Sequence, residues 1–263
     1  MNENGSFPIC DGLSENPSKH CAVLVITENV LNGQNGWPHF AQPSDELRNG
    51  TLTFVKANGR VYGITCWHVI EHFRKQLSQS GDPYSHSMRT MVNGFYVVLD
   101  RFIRPEPQLG DPPIDIAVRE LDPDLVSTIG KSPIDLDSQP KAPEAIRHGY
   151  AVGFPETMKY KKMEDRSGYR ISMPQVEILA EIQEFPSRRF ALFSELDNKP
   201  SQTDYSGMSG GPIFWSTEED YGIFGIIYEG GVGSELSEGK SVYVYGEVAT
   251  PEVIRSWLSQ LSA

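Results

Sequence analysis

A chain of 263 residues has room for one large domain or two small ones, with a sizeable core. Its 24 glycines, 19 prolines and 38% hydrophobic content suit many short strands joined by turns better than a helical bundle. A net charge of −12 argues against nucleic acid and anionic membranes as partners, and favours solubility and cationic substrate segments.

Residues 1–20 read as an N-terminal extension. Its start, Met1-Asn2-Glu3-Asn4-Gly5-Ser6-Phe7-Pro8, shows no basic n-region and no apolar h-region, so no signal peptide is visible. No apolar run in the chain nears the roughly 18 residues that a membrane span needs. The expectation is a cytoplasmic protein. Cys10, Cys21 and Cys66 are odd in number; a Cys10–Cys21 bridge stays open, and Cys66 reads as a small apolar residue. Without secretion, the acceptor patterns Asn4-Gly5-Ser6 and Asn49-Gly50-Thr51 are expected to be turns.

Cys21 to Thr27 reads as a first strand, followed by a Gly/Asn/Pro-rich insertion from about Leu31 to Asn49. Leu52 to Val55 and Val61 to Ile64 flank Asn58-Gly59, the pair that a tight hairpin turn requires. A short helix is expected over Val69 to Gln79, then strands at Phe95 to Leu99 and Ile114 to Val118. A Pro-rich linker spans 122–143. Beyond it, strands are expected at Gly149 to Pro155, Arg170 to Ser172, Val176 to Gln183, Phe190 to Phe193, Pro212 to Trp215, Ile223 to Tyr228 and Val242 to Val248. From Thr250 to Leu261 a Thr cap, Pro at the first helical position and the spacing of Val253, Ile254, Trp257, Leu258 and Leu261 predict a closing helix.

The most informative stretch is Tyr205-Ser206-Gly207-Met208-Ser209-Gly210-Gly211-Pro212. A serine hydroxyl set among glycines suits a nucleophile with a backbone oxyanion hole, because Gly207 has no Cβ and can turn its N–H toward the same point as that of Ser209. Such a serine needs a base and a group that orients the base. His68 stands where the apolar run Val61 to Trp67 gives way to a helical stretch, and Asp115 lies in Pro113-Ile114-Asp115-Ile116-Ala117-Val118, where apolar neighbours would bury one carboxylate at a strand's mouth. His20, His39, His72, His86 and His148 have no comparable setting and read as structural or surface residues.

The order His68, Asp115, Ser209 and these three contexts resemble the chymotrypsin/trypsin superfamily of serine endopeptidases, whose blocks read roughly T-A-x-H, D-I-A and G-D-S-G-G-P. The resemblance covers nearly the whole chain. It implies an all-β fold of two six-stranded antiparallel Greek-key β-barrels with a C-terminal α-helix. The first barrel would occupy 21–121 and carry His68 and Asp115, the second 144–249 with Ser209, and the helix 250–263. It further implies a polypeptide substrate, a catalytic triad of these three residues, an oxyanion hole at Gly207 and Ser209, no metal or organic cofactor, and action as a monomer. Relatives without signal peptides or disulfides are found in bacterial stress and antiviral defence systems, which makes a regulated effector the expected cellular role.

Two departures stand out. No second cysteine closes a loop around His68, and Met208 replaces the aspartate that pairs with a newly cut N-terminus in trypsin-like zymogens, so that route of maturation is not expected. Restraint by narrow specificity, by a disordered oxyanion loop or by an activating or inhibitory partner stays open. The position that carries aspartate at the base of trypsin's primary pocket is Thr203, with Asp204 beside it, and Tyr228, Glu229 and Gly230 should form the pocket's second wall. Asp204 and Glu229 would favour a basic P1 residue if they face the pocket; small or apolar P1 is the other reading. Two rivals to a peptidase share this sequence: a non-catalytic binding module, and an esterase with the same serine. An α/β-hydrolase is disfavoured, since its nucleophile precedes its acid and histidine.

Overall fold

The computed structural model describes residues 7–31, 38–40, 48–92, 95–99, 101–107, 113–163, 169–184, 188–198, 204–232 and 240–262. In chain order the first half contains α1 (Asp11–Ser14), a 3₁₀ turn (Pro17–His20), β1 (Cys21–Leu31), β2 (Pro38–Phe40), β3 (Asn49–Ala57), β4 (Arg60–Thr65), α2 (Trp67–Ser80), β5 (His86–Val92), β6 (Phe95–Leu99), β7 (Ala117–Leu121), α3 (Pro123–Thr128) and β8 (Ile134–Asp135). The second half contains β9 (His148–Gly153), β10 (Tyr160–Met163), β11 (Tyr169–Ser172), β12 (Val176–Glu184), β13 (Arg189–Glu195), β14 (Pro212–Ser216), β15 (Tyr221–Val232), β16 (Ser241–Val248) and α4 (Pro251–Leu258).

In the first half six strands curl in the order β6-β5-β1-β3-β4-β7. No ladder joins β6 to β7 among the described residues, so this sheet is a curled half-barrel and not the closed barrel expected; beyond β6, Ile103 and Val118 of β7 form an isolated bridge, exchanging both backbone bonds at 2.9 Å. In the second half β12-β13-β16-β15-β14-β9 form a closed antiparallel barrel. The hairpin of β3 and β4 turns on Asn58 (φ 50°) and Gly59 (φ 74°), two positive values in succession, as expected from Asn-Gly.

Residues 21–26 of β1 are buried on both faces, which is why that sequence runs apolar; β3 is buried on both faces too, but its first half alternates, Leu52 and Phe54 on one face and Asn49, Thr51 and Thr53 on the other. Ala22, Leu24, Leu52 and Phe54 fill the first barrel. Their neighbours Cys21, Val23, Val25, Val55 and Ala57 face the other way, into an inter-barrel core shared with Tyr150, Val152, Phe214, Ile226, Trp257 and Leu258. Phe190, Leu192, Ile213, Ile227 and Val244 fill the second barrel. Helix α4 closes that shared core, capped by Thr250 with Pro251 at its first position, as its spacing predicts.

The segment read as a linker is more ordered than its prolines suggest. It holds α3, and β8 runs parallel to β3. The strand expected at Ile114 to Val118 starts later, at Ala117. Leu13 of α1 is buried in the inter-barrel core, and the Cys10 amide donates to Ser216 Oγ at 2.8 Å, so this segment lies across the second barrel before β1 enters the first. All three cysteines are free. No described helix is long and apolar enough to cross a membrane.

His20 ties the halves together. Its Nδ1–H donates to the Ser132 carbonyl at 2.7 Å, leaving Nε2 to accept from the Tyr221 hydroxyl at 2.8 Å. Burial, more than the nearby Lys19 and Lys131, pushes its pKa down to about 4. The neutral ring is therefore the folded form, and its contribution is present above the unfolded value of 6.5 and lost as pH falls toward 4. Between pH 7 and pH 5 this amounts to about 2 kcal/mol. Urea unfolding of wild type and His20→Asn at both pH values should show a steeper loss in wild type by that amount; equal slopes would mean that the ring is not held neutral.

Candidate active site

Helix α2 begins directly where β4 ends, and its capping residue, Cys66, makes no side-chain cap. A carboxylate from the approach to β7 takes that place. Asp115 Oδ1 accepts the His68 amide at 2.9 Å, Oδ2 accepts His68 Nδ1–H at 2.6 Å, and the Asp115 carbonyl receives the Trp67 amide at 3.3 Å. An anion at a helix N-terminus satisfies an otherwise orphaned N–H and is favoured by the helix dipole. The same contact fixes the histidine tautomer, leaving Nε2 with a free lone pair. The His68 side chain is 48% exposed and that of Asp115 is 22% exposed, so the imidazole faces solvent while its partner is half-buried.

Cys66 is fully buried, and its thiol S–H donates a hydrogen bond to the Ile227 carbonyl at 3.1 Å. Burial first, then the charge of Asp115, pushes its pKa well up. Its sulfur, a His68 ring nitrogen and an Asp115 oxygen lie within 4.8 Å of one another. A soft divalent cation held there would compete for the contact that orients His68.

The serine loop lies against the same strand ends. Gly210 N–H donates at 2.7 Å to Ile227 O, the carbonyl that also takes the Cys66 thiol. A Cβ on Gly210 would stand 2.5 Å from Thr65 Oγ1 and 2.9 Å from Thr65 Cα, three residues before His68. Gly207 and Gly210 both have φ of 93°, a region open to glycine. The loop amides divide cleanly. Ser206 N–H goes to Asp204 Oδ1, Met208 N–H to Tyr205 O, Gly210 N–H to Ile227 O and Gly211 N–H to Met208 O. Those of Gly207 and Ser209 meet no acceptor among the described residues. Ser209 Oγ donates to the Tyr228 carbonyl at 3.1 Å, at a bulge in β15, so its bond to His68 is not made in this structure.

Three residues that sequence reasoning missed hold this loop. Asn49, Thr51 and Thr53 alternate along the face of β3 that looks toward the second barrel, and all are buried. Thr51 N–H donates to Ser209 O at 2.8 Å and its hydroxyl to Gly207 O at 3.0 Å, while that hydroxyl accepts the Phe154 amide at 3.2 Å. Thr53 Oγ1 donates to Gly210 O at 2.7 Å, and Asn49 Nδ2 to Phe154 O at 2.7 Å. The Asn49-Gly50-Thr51 triplet is therefore strand, not turn. The available signal was polar residues at alternate positions in a strand whose other face is apolar.

Met208 is fully buried and presses on Gly153, whose Cβ would come within 2.8 Å of it, so the residue packs. Thr203 lies outside the described residues. Asp204 is exposed, and hydrogen bonds from the Ser206 side chain and amide hold its carboxyl below its ordinary value. Glu229 is exposed. Tyr228 lies under the Arg189 guanidinium, 4.7 Å from the ring centre, and Gly230 faces Tyr205, whose Cβ would be 3.0 Å from an added methyl. An Asp204–Gly231 bridge links the two walls of the expected pocket.

A closed six-stranded barrel and a curled partner sheet, with the candidate residues at their junction, make the chymotrypsin-like fold of serine proteases. Among solved structures, a thermostable serine protease, AL20, from an extremophilic microorganism is similar at a TM-score of 0.52 and 10% identity, covering 94% of this chain and 99% of that one. The protease Anisep from Arthrobacter nicotinovorans is similar at a TM-score of 0.47 and 15% identity, over 92% and 94% of the two chains. No family model and no curated protein sequence matches the chain.

Proposed function

We propose that this protein is a serine endopeptidase, with Ser209 as nucleophile, His68 as general base and acid, and Asp115 as the group that orients and stabilises the imidazolium. The observation that carries the reading is the pairing of an oriented His68 with a loop in which only the Gly207 and Ser209 amides, on either side of Met208, are left without acceptors. Oγ would leave the Tyr228 carbonyl for His68 Nε2 and attack the substrate carbonyl. The two amides would hold the resulting oxyanion, and His68 would then protonate the leaving amine. A fluorophosphonate reagent should label Ser209 and no residue of Ser209→Ala; absence of label on the folded wild type would leave a binding module. A peptide-library digest separates peptidase from esterase.

The pocket contacts favour a small or apolar P1 residue over a basic one, since the Asp204 carboxyl is committed to Ser206 and Glu229 is exposed. Solvent screens such charges. Asp204→Asn with Glu229→Gln is expected to change the ratio of kcat/KM for Arg and Leu peptides by less than about threefold. A tenfold fall in that ratio would restore the basic reading.

A further inference from the structure

Every carbonyl from Ser206 to Gly210 is held by a donor. Ser206 O takes the Glu156 amide at 2.6 Å, Gly207 O the Thr51 hydroxyl, Met208 O the Gly211 amide at 2.9 Å, Ser209 O the Thr51 amide and Gly210 O the Thr53 hydroxyl. A trans peptide is planar, so fixing a carbonyl fixes the N–H across the same bond. The Gly207 amide belongs to the Ser206 carbonyl's plane, and the Ser209 amide to that of Met208. Those two planes are held by the Glu156 and Gly211 amides, while the carbonyls of Gly207, Ser209 and Gly210, in the peptide planes between and after them, are held from β3 in the first half. The Glu156 amide that holds a fourth follows Phe154, which Asn49 and Thr51 grip at its carbonyl and amide. Gly207 itself lies against this group: a Cβ there would be 2.6 Å from Asn49 Nδ2 and 2.7 Å from Phe154 O.

We propose that Asn49, Thr51 and Thr53 are positioning residues by which the first barrel holds the oxyanion loop of the second in its working shape. The inference rests on the endopeptidase reading. It accounts for Met208: with no carboxylate at that position to be set by a new N-terminus, the loop takes its shape from β3, and the hole is formed without a maturation cut. Thr51 is central, since its amide and hydroxyl together hold two loop carbonyls and the Phe154 amide.

Thr51→Val keeps the volume and removes the hydroxyl; Thr51→Ser keeps the hydroxyl. On a peptide amide substrate, well below the melting temperature of each variant, Thr51→Val should lower kcat by about 10- to 100-fold with KM within about threefold, because displaced Gly207 and Ser209 amides would weaken a contact made only in the transition state. Affinity for a peptide aldehyde that forms a tetrahedral adduct should fall by the same factor, and Thr51→Ser should keep kcat within about threefold of wild type. A merely structural role would lower the melting temperature without this split. If Thr51→Val does not fold, Thr53→Val takes its place, with about a tenfold drop in kcat expected. An active wild type whose folded Thr51→Val or Thr53→Val variant turns over as fast overturns the positioning role alone. A wild type that neither cleaves peptides nor takes the fluorophosphonate overturns the endopeptidase reading, and this inference with it.

Discussion

Replacing Ser209 by alanine is expected to lower kcat/KM for peptide cleavage by about four to six orders of magnitude, and His68→Ala by a similar factor, because nucleophile and base act as a unit. Stability should hardly change. The Ser209 hydroxyl makes one bond, to the Tyr228 carbonyl, worth about 1 kcal/mol, and the His68 ring is half exposed. Asp115→Asn should fall between these and wild type in rate, since the amide can still accept the His68 backbone N–H yet can present the wrong group to Nδ1. Its loss is put at about 10⁴-fold in kcat. Stopped assays on purified, folded variants, with circular dichroism melts alongside, check the series. A Ser209→Ala protein that cleaves at the wild-type rate would remove the nucleophile assignment.

Gly210→Ala is expected to cost more than about 4 kcal/mol of stability, or to prevent folding. Its φ of 93° alone would cost an alanine roughly 1–2 kcal/mol. The rest comes from collision: the new Cβ would stand 2.1 Å from the Thr51 carbonyl oxygen and 2.5 Å from Thr65 Oγ1, both in strands with no room to yield. Gly59→Ala isolates the first component, for Gly59 also has a positive φ, 74°, but nothing lies within 4 Å of its added methyl. Urea midpoints should therefore show a loss of about 1 kcal/mol at Gly59 and several times that at Gly210. Equal losses would mean that the serine loop is not pressed against the first barrel as described.

Local chemistry made most of the architecture legible in the sequence. Asn58-Gly59 announced its turn because both positions need positive φ, and Thr250-Pro251 announced α4 because each fits one position of a helix start. Glycines around Ser209 and apolar flanks around His68 and Asp115 marked the candidate site for the same reason: backbone geometry restricts which residues fit. What the sequence left unread depends on partners distant in the chain. Nothing local tells that Asn49, Thr51 and Thr53 face carbonyls more than a hundred residues away, or that the first sheet stays a curled half-barrel with an isolated bridge at Ile103. Asp204 and Glu229 were ambiguous because a charge near a pocket in sequence can point into it or into solvent; Asp204 is claimed by a turn amide two residues on, a bond that forms only when the loop does.

The bonds from Thr51 to Gly207 and from Thr53 to Gly210 span 156 and 157 residues of chain. Contacts of such long sequence separation form late, because loop closure is entropically costly before other contacts reward it. During synthesis, β3 leaves the ribosome long before the loop it holds, and at about 5–20 residues per second the delay is on the order of 10 seconds. His68 and Asp115 follow β3 within that interval, while the serine loop is still to come. On the endopeptidase reading, topology would then make the capacity to cleave one of the final events of folding.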